Sequence, residues 1–384
     1  MPKRNRLGME DIDQSLLLAV GGLLLLGLIM LASSSVNFST IQHGSPWKMF
    51  VDQLVVVVVG LGVAWAIVAH LSIEWCERYA GVLFLFSIFL LVLVLIPGIG
   101  REVNGSRRWL VIGFQPSELM KLTLILFFAR FIARYISELR DQLWGALKPL
   151  GFLFVIGGLL LMEPDYGALG VMLAVALGML FLCGVRLWQF LIFTLLVSGA
   201  MSWLIIQAPY RLTRLSSFID PWDDPFSTDY QLSQALIAIG RGDWWGVGLG
   251  NGIQKLAYLP DAHTDFMFAI LSEELGFAGS LSVIALFVWV LVRIFTIGNQ
   301  AMVLKKSFAA FSAYGIGIWV SIQMFINIGV NLGLLPTKGL TLPWMSYGRS
   351  SLLVMCIVLG LLLRIDYENR RPKKRRYGAR KGSG

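Results

Sequence analysis

The chain has 384 residues, of which 57% are apolar and 14% charged, with a net charge of +9 and a mean hydropathy of +0.72. A soluble domain carries about a quarter charged residues, so a water-soluble fold is set aside. The basic run RRPKKRR near the C-terminus has no soluble domain beside it and reads as a membrane-surface feature rather than a nucleic-acid site.

Ten segments are long and apolar enough to span a bilayer, which takes about 20 residues. They run over 15–36, 49–70, 79–97, 118–136, 146–162, 167–184, 187–206, 266–295, 308–334 and 343–364. The fifth is short and interrupted by Pro149. The first is too long for a cleaved signal peptide and is followed by further spans. The fold class is therefore an all-α polytopic membrane protein of ten transmembrane helices. Residues 1–14 form a cytosolic N-terminal segment, 15–364 the membrane domain and 365–384 a basic cytosolic tail. With both termini inside, cytosolic segments hold 21 of the 32 basic residues, as the positive-inside rule expects. Arg101, Arg107 and Arg108 oppose the trend. They imply an anionic ligand outside or, equally, local tolerance of charge.

Between spans seven and eight, residues 207–265 form a long outer loop with Pro221, Pro225, Trp222, Trp244 and Trp245. Loops of this length are functional or disordered, and the aromatic content favours a fold at the membrane interface. The stretch GRGDWWGVGLGNG does not match a dinucleotide fingerprint. Cys76, Cys183 and Cys356 show no pair or metal-type spacing, and with His43, His70 and His263 as the only histidines a zinc site is not supported. A hard cation on carboxylates and phosphate stays open.

Asp265 stands where the long loop meets the eighth span. A carboxylate there is either a helix cap or a general base at the outer headgroup level. His263, two residues away, shares the second possibility. Glu118 and Lys121 fall at i and i+3 after Pro116 in QPSELMK; they form a buried ion pair, a ligand-binding pair, or both. The turn EPDYG (163–167), a polar stripe Gln323, Asn327 and Asn331, and the Pro/Gly-interrupted stretch 334–351 follow. The stripe suits inter-helix hydrogen bonding. Tyr210, Arg211 and Arg214 make a small cationic cluster, with Arg241 and Lys255 later in the loop. One carboxylate among many cations suits a lipid-linked diphosphate substrate. Glu273 and Glu274, read as mid-membrane, keep a transporter in play; a non-enzymatic scaffold has no use for residue 265.

The segments NGSRRWL, QPSELMK, EPDYG, YQLSQALIAIGRGDWWGVGLGN, QKLAYLPDAHTDFMFA–EELG and GLLPTKGLTLP–SYG–SS resemble, in order and over nearly the whole chain, the SEDS family of shape, elongation, division and sporulation proteins. QALIAIG, GLGNGIQKLAYLP and the closing LLRIDYE resemble its division-type members. The resemblance implies ten helices and a peptidoglycan glycosyltransferase polymerising lipid II into β-1,4 glycan strands, with inversion and loss of undecaprenyl diphosphate. It implies Asp265 of the HTDF motif as the catalytic aspartate, and Glu118 and Lys121 as family site residues. Arg108, Arg211, Arg214 and His263 join them as expected substrate contacts. A divalent cation (Mg or Mn) is the cofactor to expect. The expected partners are a cognate class B penicillin-binding protein transpeptidase, other divisome proteins and membrane lipids, with no nucleic acid. The expected place is the bacterial cytoplasmic (inner) membrane at the division septum. Departures from the family pattern are Asp261, Trp344 and Arg349, the last two where span ten begins.

Overall fold

The computed structural model describes residues 12–103, 106–111, 113–207, 230–256, 258–337 and 339–371. Ten helices form the bundle: α1 (Gln14–Ser34), α3 (Lys48–His70), α4 (Ile73–Leu95), α5 (Pro116–Asp141), α6 (Leu143–Met162), α7 (Tyr166–Cys183), α8 (Leu187–Ile206), α10 (Met267–Val303), α11 (Ser307–Asn331) and α12 (Arg349–Arg370). Two further helices, α2 (Val36–His43) and α9 (Tyr230–Gly242), lie outside this set. Eight of the ten are long and apolar enough to cross a membrane by themselves. α6 holds the apolar stretch Lys148–Met162, and α5 carries Glu118, Lys121, Arg130 and Arg134 along its length.

Local chemistry sets where the helices begin. Asp13 accepts from Leu16 N at 3.0 Å and opens α1, while Ser72 caps α4 through Trp75 N at 3.2 Å. Asp165 caps α7 through Ala168 N at 3.1 Å. Pro116 occupies the first turn of α5, where its missing N–H costs nothing. The helices differ in burial. α11 and α12 are central, with Trp319, Val320, Met355 and Val358 fully buried. Helices α3, α4 and α8 present exposed Val, Leu, Phe and Trp side chains outward, as bilayer-facing helices do.

Three features depart from the sequence reading. The outer arginines lie on a two-stranded antiparallel hairpin, β1 (Gly100–Val103) and β2 (Ser106–Leu110), so the chain is not wholly helical. The eighth span is broken. α10 contains Gly276 at φ 67° and ψ −165°, a conformation open to glycine and strained for other residues. Glu273 and Glu274 sit in the short segment before this break rather than in mid-membrane. Finally, the last span starts at Arg349, six residues later than expected, because 339–348 is irregular backbone, with Leu340, Leu342, Trp344 and Met345 buried and the carbonyls of Leu340 and Thr341 bonded to Asn327 and Gln323.

Candidate functional site

The site is built on the loop that enters α10. The carbonyl of Asp261 accepts from the N–H groups of Thr264 and Asp265, both at 3.1 Å, and of Phe266 at 3.3 Å. The residue preceding α10 is Phe266, and no side chain caps this helix. Asp265 is therefore not the helix cap that its position allows.

The main chain of Asp265 is held from α11. Its carbonyl accepts from Asn327 Nδ2 and Asn331 Nδ2, each at 3.0 Å. Asn331 Oδ1 also takes Ala269 N at 3.0 Å, and Asn327 Nδ2 donates to Leu340 O at 2.6 Å. One turn back, Gln323 Nε2 donates to Thr341 O at 2.8 Å. The polar stripe thus bonds to the backbone of two loops and also to two neighbouring helices, to α10 through Ala269 N and to α5 through Lys121, the inter-helix bonding expected of it. It sets the Asp265 loop against the 339–341 segment.

With both its backbone groups satisfied, Asp265 leaves its carboxylate uncommitted. Among the described residues, no hydrogen bond or ion pair engages that side chain, which is half-buried. Burial first, and the Asp261 carboxylate second, raise its pKa from 3.8 to about 7. A carboxyl so placed holds or releases a proton near neutrality, which suits general acid–base chemistry.

Glu118 and Lys121 form a buried ion pair at 2.8 Å, with Lys121 only 2% exposed. Lys121 Nζ also lies 3.5 Å from Gln323 Oε1 and 5.2 Å above the Trp319 ring. Trp319 Nε1 donates to the same Gln323 oxygen at 2.7 Å. The pair therefore reaches the Asp265 surroundings through Gln323 and Thr341. Among the described residues, one buried Glu118 oxygen has no hydrogen-bond partner.

Arg108 donates to the carbonyls of Pro164 and, at 3.5 Å, Glu163, so it fastens β2 to the EPDYG turn. In that turn Asp165 takes Ser117 Oγ at 3.1 Å, and Gln115 N donates to Ser350 Oγ at 2.9 Å. These bonds draw the starts of α5, α7 and α12 together. Among the described residues, neither buried Glu163 oxygen has a hydrogen-bond partner. Burial, followed by repulsion from Asp165, lifts that carboxyl to about 8 against the opposing pull of Arg108.

His263 is buried, its ring 4.7 Å from Phe38 and 5.8 Å from Tyr347. Burial lowers its pKa, with Asp261 opposing, so the neutral imidazole packs between α2 and the 342–348 segment. Arg211 and Arg214 lie outside the described residues. Of the departures from the family pattern, Trp344 is buried and donates from Nε1 to Met355 O at 3.0 Å. Arg349 is exposed at the first turn of α12, adding a cation at this end that sequence reading flagged only as an irregularity.

Glu273 and Glu274 have a role the sequence reading missed. Glu273 accepts from Arg241 Nη1 at 3.1 Å, Ile253 N at 2.9 Å and Gln254 N at 3.3 Å. Glu274 accepts from Lys255 Nζ, from Ser33 Oγ at 2.7 Å and from Gly250 N at 3.0 Å. Both are fully buried. They anchor the 241–255 loop to the start of α10. A signal existed in the sequence: adjacent acids face a glycine-rich segment able to offer consecutive N–H groups.

Among the described residues no group of three or more His, Cys, Asp or Glu side chains converges. The acids at Asp261 and Asp265 do not make a protein-only cage for a hard cation, which takes six or more oxygen ligands. No step below is routed through a metal.

A family model for cell cycle proteins, FtsW, RodA and SpoVE, matches residues 14–371. The chain is 49% identical over 359 residues to a protein of Coxiella burnetii named "Probable peptidoglycan glycosyltransferase FtsW", covering 93% of this chain and 96% of that one. It is 50% identical over 364 residues to a protein of the same name from Nitrosococcus halophilus, covering 94% of each. Among solved structures it is similar to Thermus thermophilus RodA, with a TM-score of 0.69 and 26% identity over 93% of this chain and 97% of that one. It is also similar to a chain from the work described as "Structural coordination of polymerization and crosslinking by a peptidoglycan synthase complex", with a TM-score of 0.77 and 29% identity over 93% and 98%.

Proposed function

The chain belongs to the FtsW, RodA and SpoVE family of integral membrane cell cycle proteins, and on that premise we propose that Asp265 is the general base of a peptidoglycan glycosyltransferase. The observation that carries this reading is a carboxylate with a near-neutral pKa, fixed by its own main chain and unengaged by any described side chain.

In the proposed step, Asp265 removes the proton of the GlcNAc 4-hydroxyl of an acceptor lipid II. That oxygen forms a bond to C1 of the terminal MurNAc of the growing strand. The C1–O bond to the undecaprenyl diphosphate breaks, and the diphosphate departs with the electron pair. A single displacement on an α-linked donor gives a β-1,4 bond with inversion. A positioned base supplies about 10²–10⁴-fold; orientation and charge stabilisation at the leaving group supply the remainder. For that second task we propose Arg349, together with Arg211 and Arg214 of the long loop. Lys121 and Arg108 act from behind, by holding the 341 and 163–167 backbones.

An apolar groove of about 710 Å³ lies between α1, α3, the 249–256 loop and the start of α2, the helix that also carries Phe38, the neighbour of His263. It offers space for part of a polyprenyl chain. We further propose that both termini are cytosolic, that Asp265 faces outward at the division septum, and that a cross-linking class B transpeptidase and other divisome proteins are partners. The resemblance to a chain of a peptidoglycan synthase complex supports the transpeptidase.

The test is the purified chain, with its transpeptidase, incubated with labelled lipid II while other polymerases are inhibited. Glycan strands support the reading. Translocation of lipid II across proteoliposomes without strands would establish the transporter instead. Glu273 and Glu274, which the transporter needs as a polar route, are committed to loop anchoring.

A further inference from the structure

At the bundle end that carries both termini, far along α10 and α12 from the site above, a cavity of about 770 Å³ opens between the first turns of α4, the α10–α11 turn and the last turns of α12. Its charges are of two kinds. Glu74 and Glu77 come from α4, whereas Lys305, Lys306 and Arg371 come from the α10–α11 turn and the end of α12. Arg364 and Glu368 pair with each other at 3.0 Å. The Lys306 ammonium is held by the Glu368 carbonyl and, at 3.5 Å, by Asn369 Oδ1. Among the described residues neither Lys305 nor the half-buried Glu77 has a side-chain hydrogen bond or ion pair.

The cavity's basic side also holds a helix N-terminus. α11 begins beside Lys305 without a side-chain cap and without an acidic residue in its first turn, and its first residues Ser307, Phe308 and Ala309 line the cavity. Helix N-termini leave N–H groups that bind phosphate. The rim is apolar: Val303 is 82% and Leu304 41% exposed. The exposed Trp75 and Tyr79 rings pack on α4, tilted by 40° with centroids 4.8 Å apart; Trp and Tyr are the side chains enriched at a headgroup layer.

We propose that this cavity binds the headgroup of an aminophospholipid, with its phosphate on Lys305 and the α11 amides and its ammonium on Glu77. The acyl chains leave over Val303 and Leu304 into the leaflet that is cytosolic in the orientation proposed above. A purely anionic headgroup satisfies the lysine but sets no positive charge against Glu77. Free phosphate has neither an ammonium nor chains for the apolar rim. The inference does not rest on the glycosyltransferase reading.

The full chain is reconstituted in phosphatidylcholine nanodiscs containing equal fractions of phosphatidylethanolamine and phosphatidylglycerol. Lipid retained on the protein after extraction is then measured by mass spectrometry. Phosphatidylethanolamine is expected in about tenfold excess, the scale of one charge-assisted contact. Lys305→Gln is expected to lower its retention by a similar factor, with recovery in Lys305→Arg. Glu77→Gln removes the preference between the two lipids at an unchanged melting temperature. Equal or greater retention of phosphatidylglycerol by the unmodified chain overturns the proposal, as does a preference that survives Glu77→Gln. Displacement of the lipid by millimolar inorganic phosphate would assign the cavity to a soluble anion and likewise overturn it.

Discussion

Gly339 lies against the Asp265 carboxylate so closely that a Cβ built on it would stand 2.6 Å from Oδ2. The side chain of residue 265 has its place because residue 339 has none. Gly339→Ala therefore displaces the carboxylate while leaving every hydrogen bond to the Asp265 backbone in position. Polymerisation by this variant is expected to fall by about 10²-fold, the scale of a misplacement near 1 Å, with little change in melting temperature. Full activity in Gly339→Ala would mean that the carboxylate has no required position.

The asparagine clamp makes a different demand. Asn331 bonds both the Asp265 carbonyl and the Ala269 amide, so Asn331→Ala takes one of two partners from each, Asn327 keeping the carbonyl and the Phe266 carbonyl keeping the amide. Each lost hydrogen bond costs about 0.5–1.5 kcal/mol. The variant is expected to melt lower and to lose turnover, since α10 then starts from a looser loop. Thermal unfolding and initial rates on one preparation check both.

Acidity gives the third prediction. Asp265 titrates near 7 in the fold and near 3.8 when unperturbed, so its base form accumulates as pH rises, and kcat/KM should climb through about pH 7. Asp261→Asn removes the repulsion that raises this pKa and should move the climb to lower pH, burial keeping it above the ordinary carboxylate range. The stability sign is opposite to the activity sign. A folded pKa above the unfolded one means that the contribution is fully present below about pH 4 and is lost as pH rises through 7. Asp265→Asn should consequently melt above the parent at pH 8 and level with it at pH 4. A parent profile flat between pH 5 and 8 would speak against the assignment.

Glu274 and Lys255 form a pair whose side chains are 0% and 8% exposed. Removing one partner of such a pair costs about 3–5 kcal/mol, whereas replacing both with apolar groups is often neutral. Glu274→Leu and Lys255→Met are each expected to destabilise strongly, and the double variant to recover part of the loss, since Ser33 Oγ and Gly250 N still lose their acceptor. Unfolding midpoints of the two single variants and the double variant decide it.

How far the sequence carried is visible at particular residues. The apolar runs locate the ten spans because bilayer thickness imposes length and composition together, with ends displaced by six to eight residues in the third, eighth and tenth. Pro116 marks the start of α5 because its ring fixes φ. Gly276 breaks a run whose apolar character continues on both sides, so hydropathy passes over it. Glu273 and Glu274 look like charges loose in the membrane because their donors, the amides of residues 250, 253 and 254, leave no trace in side-chain chemistry. Whether Asp265 caps a helix or serves as a base turns on where its carboxylate points, and spacing alone leaves both open. SRRWL lacks the apolar–polar alternation that announces a strand, so the hairpin carrying Arg107 and Arg108 was not legible.

The account stands or falls on the carboxylate of residue 265. Asp265→Asn keeps its size and its backbone bonds to Asn327 and Asn331 but cannot accept a proton. Assayed with its transpeptidase on labelled lipid II, and shown folded by its melting curve, it is expected to make no detectable glycan strand. Strands made at the parent's rate by that folded variant would place the base elsewhere and contradict the mechanism.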